Sequence, residues 1–400
     1  MPTQNQPSDI LLLGIGGGAS MIVADIVQND QLPLRALCID TDASALAYIA
    51  EKNIPNLLLG GTRLAGRGTG GDCIKGRMAI QDDIETLTPH LQGVRTVMLL
   101  ACLGSGTGSG AVADVVKHLH SLGIATCCVI TLPFKMEGAS RQQTAERTVP
   151  MIEEYADALV TLPLDTLYAS LMNEPLSTAI AQANTFLADG LTLLFRLVAR
   201  PGYISMDSSR LNMMIRHGGI SHFASFEDTG HVRMMDLALR LKASKALRSG
   251  DILSKAKTVL VGILAGDDLR LKEIDSIMTA ISSLCKKNTQ IELGTVLDNQ
   301  LQGKISVVIF AFENAMPTQA AAVAQQLPVL HEINTGIEPP LADIAIPTTG
   351  KRSKGSNKAS KLAAMGDKGR GRFHNVDPTL WNGQDLDIPT YQRREIILER

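Results

Sequence analysis

The stretch Ala101-Cys102-Leu103-Gly104-Ser105-Gly106-Thr107-Gly108-Ser109-Gly110 decides how the rest of the chain is read. Before it, Val97-Met98-Leu99-Leu100 is a continuous apolar run, short enough for a strand buried on both faces. After it, Val112, Val115, Val116 and Leu119 recur at helical spacing. Four glycines within residues 104–110 leave a row of backbone N–H groups uncovered between strand and helix. Those donors, with the positive end of the helix dipole, suit a phosphate group. A flexible connector would need only two or three such residues, so the phosphate site is the expectation.

Four hundred residues are enough for two or three domains and an ample core. A composition of 45% hydrophobic, 20% charged and 4% aromatic residues fits a globular α/β protein. The net charge of −2 gives no general reason to expect nucleic acid or a membrane surface as main partner. The six cysteines show no C-x-x-C spacing, as expected of reduced core thiols in a cytosolic protein. No apolar run approaches the ~20 residues that span a bilayer, and the polar first ten residues do not read as a secretory signal.

Taken in order, residues 10–13 begin a strand, and Gly14-Ile15-Gly16-Gly17-Gly18-Ala19-Ser20 leads into a helix expected over 21–28. Residues 34–39 form a second strand ending in Asp40-Thr41-Asp42. Alone, Gly14, Gly16 and Ala19 meet the dinucleotide pattern G-x-G-x-x-G/A, with Asp40 where a ribose-binding acid belongs. A nicotinamide-dependent dehydrogenase is thus one reading, but it leaves the second glycine loop unexplained. The glycine-rich segment 60–72 carries Arg63 and Arg67, which could approach a terminal phosphate; spacing alone does not establish it. A strand at 97–101, a helix at 111–121 and a strand at 124–132 follow. The last runs into Pro133-Phe134-Lys135-Met136-Glu137-Gly138-Ala139-Ser140-Arg141, whose acid and guanidinium suit sugar hydroxyls, phosphate or base edges, or simply each other.

Helix is expected around 153–156, a strand at 158–162, and a long helix over 175–200, about 39 Å at ~1.5 Å per residue. Pro201-Gly202 stops it. Strands at 259–264, 290–296 and 304–312 with intervening helices describe a smaller α/β domain. Residues 351–372 hold eight Lys or Arg against one Asp, and seven Gly or Ser, a composition that does not fold. Leu386-Asp387-Ile388-Pro389 through Arg393-Arg394 then reads as a docking peptide on a tether.

These residues resemble FtsZ, the bacterial tubulin homologue and filament-forming GTPase of cell division, from about 10 to 315 and over the last fifteen. Gly104-Ser105-Gly106-Thr107-Gly108-Ser109-Gly110 looks like that family's G-G-G-T-G-T-G. Glu137 and Arg141 match its ribose and base contacts, and Asp40-Thr41-Asp42 its Asn-Thr-Asp. The resemblance implies an α/β, tubulin/FtsZ-like fold with a doubly wound nucleotide-binding domain (1–174) and a long central helix (175–201). A smaller C-terminal α/β domain (202–315), a largely disordered linker (316–384) and a partner-binding peptide (385–400) would follow. It implies GTP or GDP as ligand, with magnesium accompanying the nucleotide and no separate metal site. It also implies head-to-tail self-assembly in the cytoplasm at the division site, and indirect membrane contact. Tethering division proteins would be held through Asp387, Ile388, Pro389, Arg393 and Arg394.

The first loop would supply Gly17, Gly18, Ala19, Ser20 and Met21, and the second Gly104, Ser105, Gly106, Thr107 and Gly108. Met21 stands where the family has an asparagine facing guanine, Thr185 after Asn184 where it has an aspartate, and Ile180 where it has a stacking aromatic. Losing such hydrogen bonds costs about 1–3 kcal/mol each when the partners are buried. Phosphate binding therefore rests on more of the motif than guanine selectivity does. In the loop that the family inserts into the next subunit, Ser205 replaces an asparagine, Asp207 keeps one acid and Arg210 replaces the second. A guanidinium can neutralise phosphoryl charge but cannot accept a hydrogen bond from water. Slow or absent hydrolysis with retained binding and assembly is the expectation, and a non-hydrolysing scaffold is the alternative.

Overall fold

The computed structural model describes residues 9–29, 35–167, 175–199, 203–230, 236–244, 247–298, 301–314, 380–381 and 384–385; within 176–199 only some side chains are described. The chain divides into two units, 1–328 and 329–400.

In the first unit, β1 (Ile10–Ile15), β2 (Arg35–Asp40), β3 (Asn56–Leu58), β4 (Thr96–Cys102), β5 (Ala125–Leu132) and β6 (Ala158–Pro163) pair in parallel, in the order 3-2-1-4-5-6. The alternating residues of β1 and β4 are buried on both faces, as a sheet covered by helices requires. Leu12, Met98 and Val129 meet α1 (Gly17–Asn29), α2 (Ala43–Glu51) and α8 (Leu176–Ala199) on one side. Leu11, Leu99 and Ile130 meet α4 (Cys73–Asp83), α5 (Gly106–Ser121) and α6 (Ala139–Glu153) on the other. The domain is doubly wound, with short α3 (Gly61–Leu64) and α7 (Leu164–Leu167) in connections.

The same sheet continues through β7 (Gly219–Thr229), β10 (Lys304–Phe312), β8 (Thr258–Ala265) and β9 (Gln290–Leu297). β7 pairs in parallel with β6 and antiparallel with β10, joining the two halves. The sequence reading has no strand there, because Ser, His, Glu and Asp interrupt the apolar pattern and β7 is only partly covered. Helix α8 serves both halves, since one core cluster contains Leu191 and Leu197 together with Leu12 and Val160 on one side and Leu260, Val308 and Phe312 on the other. Its 24 residues, roughly 36 Å of helix, match the expected span. Small residues seat it closely: a Cβ on Gly190 would meet the Phe223 ring at 2.0 Å, and one on Gly262 would meet Leu197 at 2.1 Å. A third core lies under α10 (Leu237–Ala243), α11 (Asp251–Lys255) and α12 (Leu271–Ser282).

Two helices start earlier than their apolar pattern suggests, α1 at Gly17 rather than 21 and α5 at Gly106 rather than 111. Glycine weakens a helix, so periodicity detects only the later turns. Here Ser105 caps α5 by accepting from Gly108 N–H at 3.2 Å. α6 ends at Glu153, so 154–156 are not helical as expected. In the second unit the described residues are an antiparallel pair, β11 (Leu380–Trp381) and β12 (Gln384–Asp385). It falls within and just beyond the stretch expected to lack order. Residues 386–400, with the expected docking peptide, lie outside the described residues. Among the described residues no helix is long and apolar enough to cross a membrane.

Candidate nucleotide site

The β1–α1 and β4–α5 turns lie against each other at the C-terminal ends of neighbouring parallel strands. Gly16, at φ +82°, leaves no room for a side chain: its Cβ would come within 3.2 Å of Gly108 N. Gly16 N–H donates to Ile39 C=O at 2.8 Å, tying the first turn to β2. Thr41, just past β2, shares a 2.7 Å hydroxyl–hydroxyl bond with Thr107 in the second turn. The glycines of α5 permit close contact as well as exposing N–H groups. A Cβ on Gly106 would meet Thr69 Oγ1 at 2.0 Å, and one on Gly110 would meet Cys73 C=O at 2.3 Å. The segment 66–72 is therefore pressed onto the start of α5.

These elements enclose a cavity of about 820 Å³. Its floor is Gly16, Gly17, Gly18, Ser105, Gly106 and Thr107, and Arg67, Gly68, Thr69, Gly70 and Gly71 form one wall. The N–H groups of Gly17, Gly18, Gly106 and Thr107 have no acceptor among the described residues, as first-turn groups of two helices. Two helix N-termini thus open on one space, a cradle for a polyphosphate. The rest is lined by Met21, Ile22, Cys102, Leu103, Pro133, Leu164 and Leu187 together with Glu137 and Arg141. Arg141 donates to Glu137 Oε2, while Glu137 Oε1 accepts from Phe134 N–H at 2.9 Å.

Asp40 also lines the cavity although it is only 4% exposed. Its carboxylate accepts from Thr41 N–H at 2.7 Å. Burial pushes its pKa above the usual aspartate range, against the hydrogen bonds from Thr41 and Thr107. Asp42 caps α2 through Ser44 N–H at 2.8 Å and faces the same cavity.

Of the residues expected at this site, Gly17, Gly18, Met21, Ser105, Gly106, Thr107, Glu137 and Arg141 line the cavity. Ala19, Ser20, Gly104 and Gly108 do not: Ala19 and Ser20 are buried in α1, and Gly104 packs on Pro133 and Arg141. Asn184 and Thr185 fall in α8, and their side chains are outside the described residues. Thr69, Leu164 and Leu187 were not anticipated; only the glycines flanking Thr69 hinted at its place.

Ser205, Asp207 and Arg210 lie elsewhere. Asp207 caps α9 (Ser208–Arg216), accepting from Arg210 N–H at 2.6 Å, and Ser205 is exposed. Ser208 Oγ donates to Asp9 at 3.0 Å, and Asn212 donates to Thr96 Oγ1 at 2.8 Å. Thr96 begins β4 and Cys102 ends it in the cavity wall. The Asp207 loop and the cavity are therefore at opposite ends of the sheet, roughly 20 Å apart at ~3.3 Å per residue. Arg210 donates to Glu292 on β9, a partner marked in the sequence only as an acid inside an apolar strand.

A doubly wound sheet with two glycine turns closing on one cavity, a long helix behind it and a second α/β half is the architecture of tubulin-type GTPases. Residues 9–172 match the family model described as Tubulin/FtsZ family, GTPase domain, and residues 233–313 match the FtsZ family, C-terminal domain. Cell division protein FtsZ of Pseudomonas putida is 30% identical over 303 residues, covering 76% of this chain and 75% of that protein. The Coxiella burnetii protein of the same name is 29% identical over 308 residues, covering 77% and 79%. The chain belongs to the tubulin/FtsZ family. Among solved structures, the empty FtsZ dimer of M. jannaschii shares the fold with a TM-score of 0.69 at 24% identity, covering 78% of this chain and 89% of that one. CetZ2 of Haloferax volcanii, in a GTPγS-bound protofilament, aligns with a TM-score of 0.63 at 20% identity, covering 79% and 96%. Nothing in these matches points to a dehydrogenase; the G-x-G-x-x-A turn is the first of the two glycine turns that border the cavity.

Proposed function

We propose that this chain is a GTP-binding, tubulin-like protein that stacks head to tail into filaments at the bacterial division site, with weakened GTP hydrolysis. The observation that carries the proposal is the separation of the cavity and the Asp207 loop to opposite ends of one sheet. No motion within a subunit joins them, whereas a second copy stacked along the sheet axis would bring one copy's Asp207 onto the other's phosphates. Such a heterologous contact propagates as a filament. Exposed apolar residues at both ends support it: Ile74 (67%) and Met136 (75%) beside the cavity, Tyr203 (90%) beside the loop. The FtsZ relatives are cell division proteins by name, which motivates the division site and a cytoplasmic location.

The polyphosphate would rest on the first-turn N–H groups of α1 and α5, with Glu137 and Arg141 toward the sugar and base. Magnesium fits as the companion of the phosphates. Among the described residues no cluster of three or more His, Cys, Asp or Glu could hold a metal unaided, but Asp40 and Asp42 face the phosphate space. Tethering to the membrane through Asp387, Ile388, Pro389, Arg393 and Arg394 rests on the sequence resemblance alone. The commitment of Arg210 to Glu292 favours a second reading, a nucleotide-binding scaffold that assembles with, or caps, a related filament without turnover.

Mass identification of the co-purifying nucleotide, followed by pelleting with GTP, GDP or neither, tests the main reading. A guanine nucleotide and GTP-dependent sedimentation are expected. A protein that stays monomeric with GTP at every concentration tried overturns it. Phosphate release then separates the GTPase from the scaffold.

A further inference from the structure

We propose that Arg67 binds the terminal phosphate and makes this pocket discriminate a nucleoside triphosphate from a diphosphate. The proposal rests on reading the cavity as a nucleotide site and adds a specificity-determining side chain to it. Segment 60–72 carries two arginines, and the fold separates their roles. Arg63 is committed to Asp82, with Nε to Oδ2 at 2.9 Å and a second bond at 3.3 Å. Arg67 lines the cavity and makes no side-chain hydrogen bond or ion pair among the described residues.

The backbone holds Arg67 at that rim. Asp42 and Arg67 form an antiparallel bridge; on either side Ala43 N–H donates to Gly66 C=O and Gly68 N–H to Thr41 C=O, each at 3.0 Å. Gly66 and Gly68 both have φ +70°, so residue 67 sits between two turns that other residues would strain. Two residues later, buried Thr69 packs its hydroxyl on Gly106. Arg67 is thus anchored between Thr41, bonded to Thr107, and the first residue of α5.

Charge makes the placement specific. Among the described lining residues the other cation is Arg141, which is engaged by Glu137, while Asp40 and Asp42 add negative charge. A polyphosphate entering this space meets backbone donors at the floor and one uncommitted guanidinium at the rim. The phosphate farthest from the nucleoside carries the most charge. A guanidinium fork holds two of its oxygens at once, a geometry that an ammonium does not reproduce.

The test uses the full chain below its assembly concentration, at fixed magnesium, titrated calorimetrically with GTP and with GDP. Arg67→Ala is expected to weaken GTP about tenfold to a hundredfold, the range for a lost charge-assisted contact, and GDP less than about threefold. Arg67→Lys should fall between. Arg63→Ala, the loop control, should leave the GTP-to-GDP ratio unchanged. If Arg67→Ala weakens both nucleotides by one factor, or neither, the inference falls while the nucleotide site stands. If the unmodified protein binds neither nucleotide, the reading of the cavity falls and this inference with it.

Discussion

Arg210 donates to the carboxylate of Glu292 in β9, so the cation at the end of the Asp207 loop is engaged within its own subunit. Both side chains are less than a third exposed, and the bond ties the Asp207 loop to the second half of the sheet. Glu292 thus neutralises the guanidinium of Arg210.

Reversing the charge at 210 alone puts two carboxylates side by side. Arg210→Asp should cost about 1 kcal/mol of stability, and adding Glu292→Gln should restore it. In the proposed filament the double variant should release phosphate faster per subunit than the unmodified chain. Urea midpoints and phosphate release under assembly conditions check both parts; an unchanged or lower rate counts against a hydrolytic role for position 210.

The Thr41–Thr107 hydroxyl bond links the end of β2 to the glycine turn that opens α5. Thr107→Val alone leaves the buried Thr41 hydroxyl unpaired, at about 1–3 kcal/mol, whereas Thr41→Val leaves Thr107 its bond to Asp40 and should cost less. Replacing both should cost less than the sum. A double-mutant cycle on denaturant midpoints gives the coupling, and strict additivity would mean the bond carries no energy.

Asp40 titrates against its burial. Because its folded pKa is raised, its protonated form favours the native state; that contribution is whole at low pH and is lost as pH rises through the folded value. Asp40→Asn keeps an acceptor for Thr41 N–H and removes the charge. It should stabilise the ligand-free protein at pH 8, with the advantage shrinking toward acid. Unfolding midpoints from pH 8 down to the ordinary aspartate range, about pH 4, check this; a pH-independent difference would exclude a titrating origin.

Helix α8 depends on the missing side chain at 190. Gly190→Ala drives a methyl into the Phe223 ring and should cost about 1–3 kcal/mol, despite alanine's better helix propensity. Phe223→Leu in the same chain should recover part of that loss in thermal melting. A stabilised Gly190→Ala would mean that α8 sits farther from β7.

The sequence alone determined the elements whose signal is local. The apolar runs of β1, β4, β5 and β10, the glycine turns after β1 and β4, and the stripe of α8 are all set by residues a few positions apart. Backbone conformation and burial period act over that range, and the motif of residues 104–110 marked a turn that borders the cavity. β7 escaped because half-covered strands keep polar residues, and the starts of α1 and α5 escaped because glycine hides a helix. Only the tertiary structure decided which long side chains are free. Arg63 and Arg67 are indistinguishable by spacing, yet Asp82 takes one and the cavity the other; Arg210 finds Glu292 82 residues away. The partner of a flexible cation is chosen by sheet order, and so is the placing of the Asp207 loop opposite the cavity. Contacts between distant segments exist only once the strands have paired.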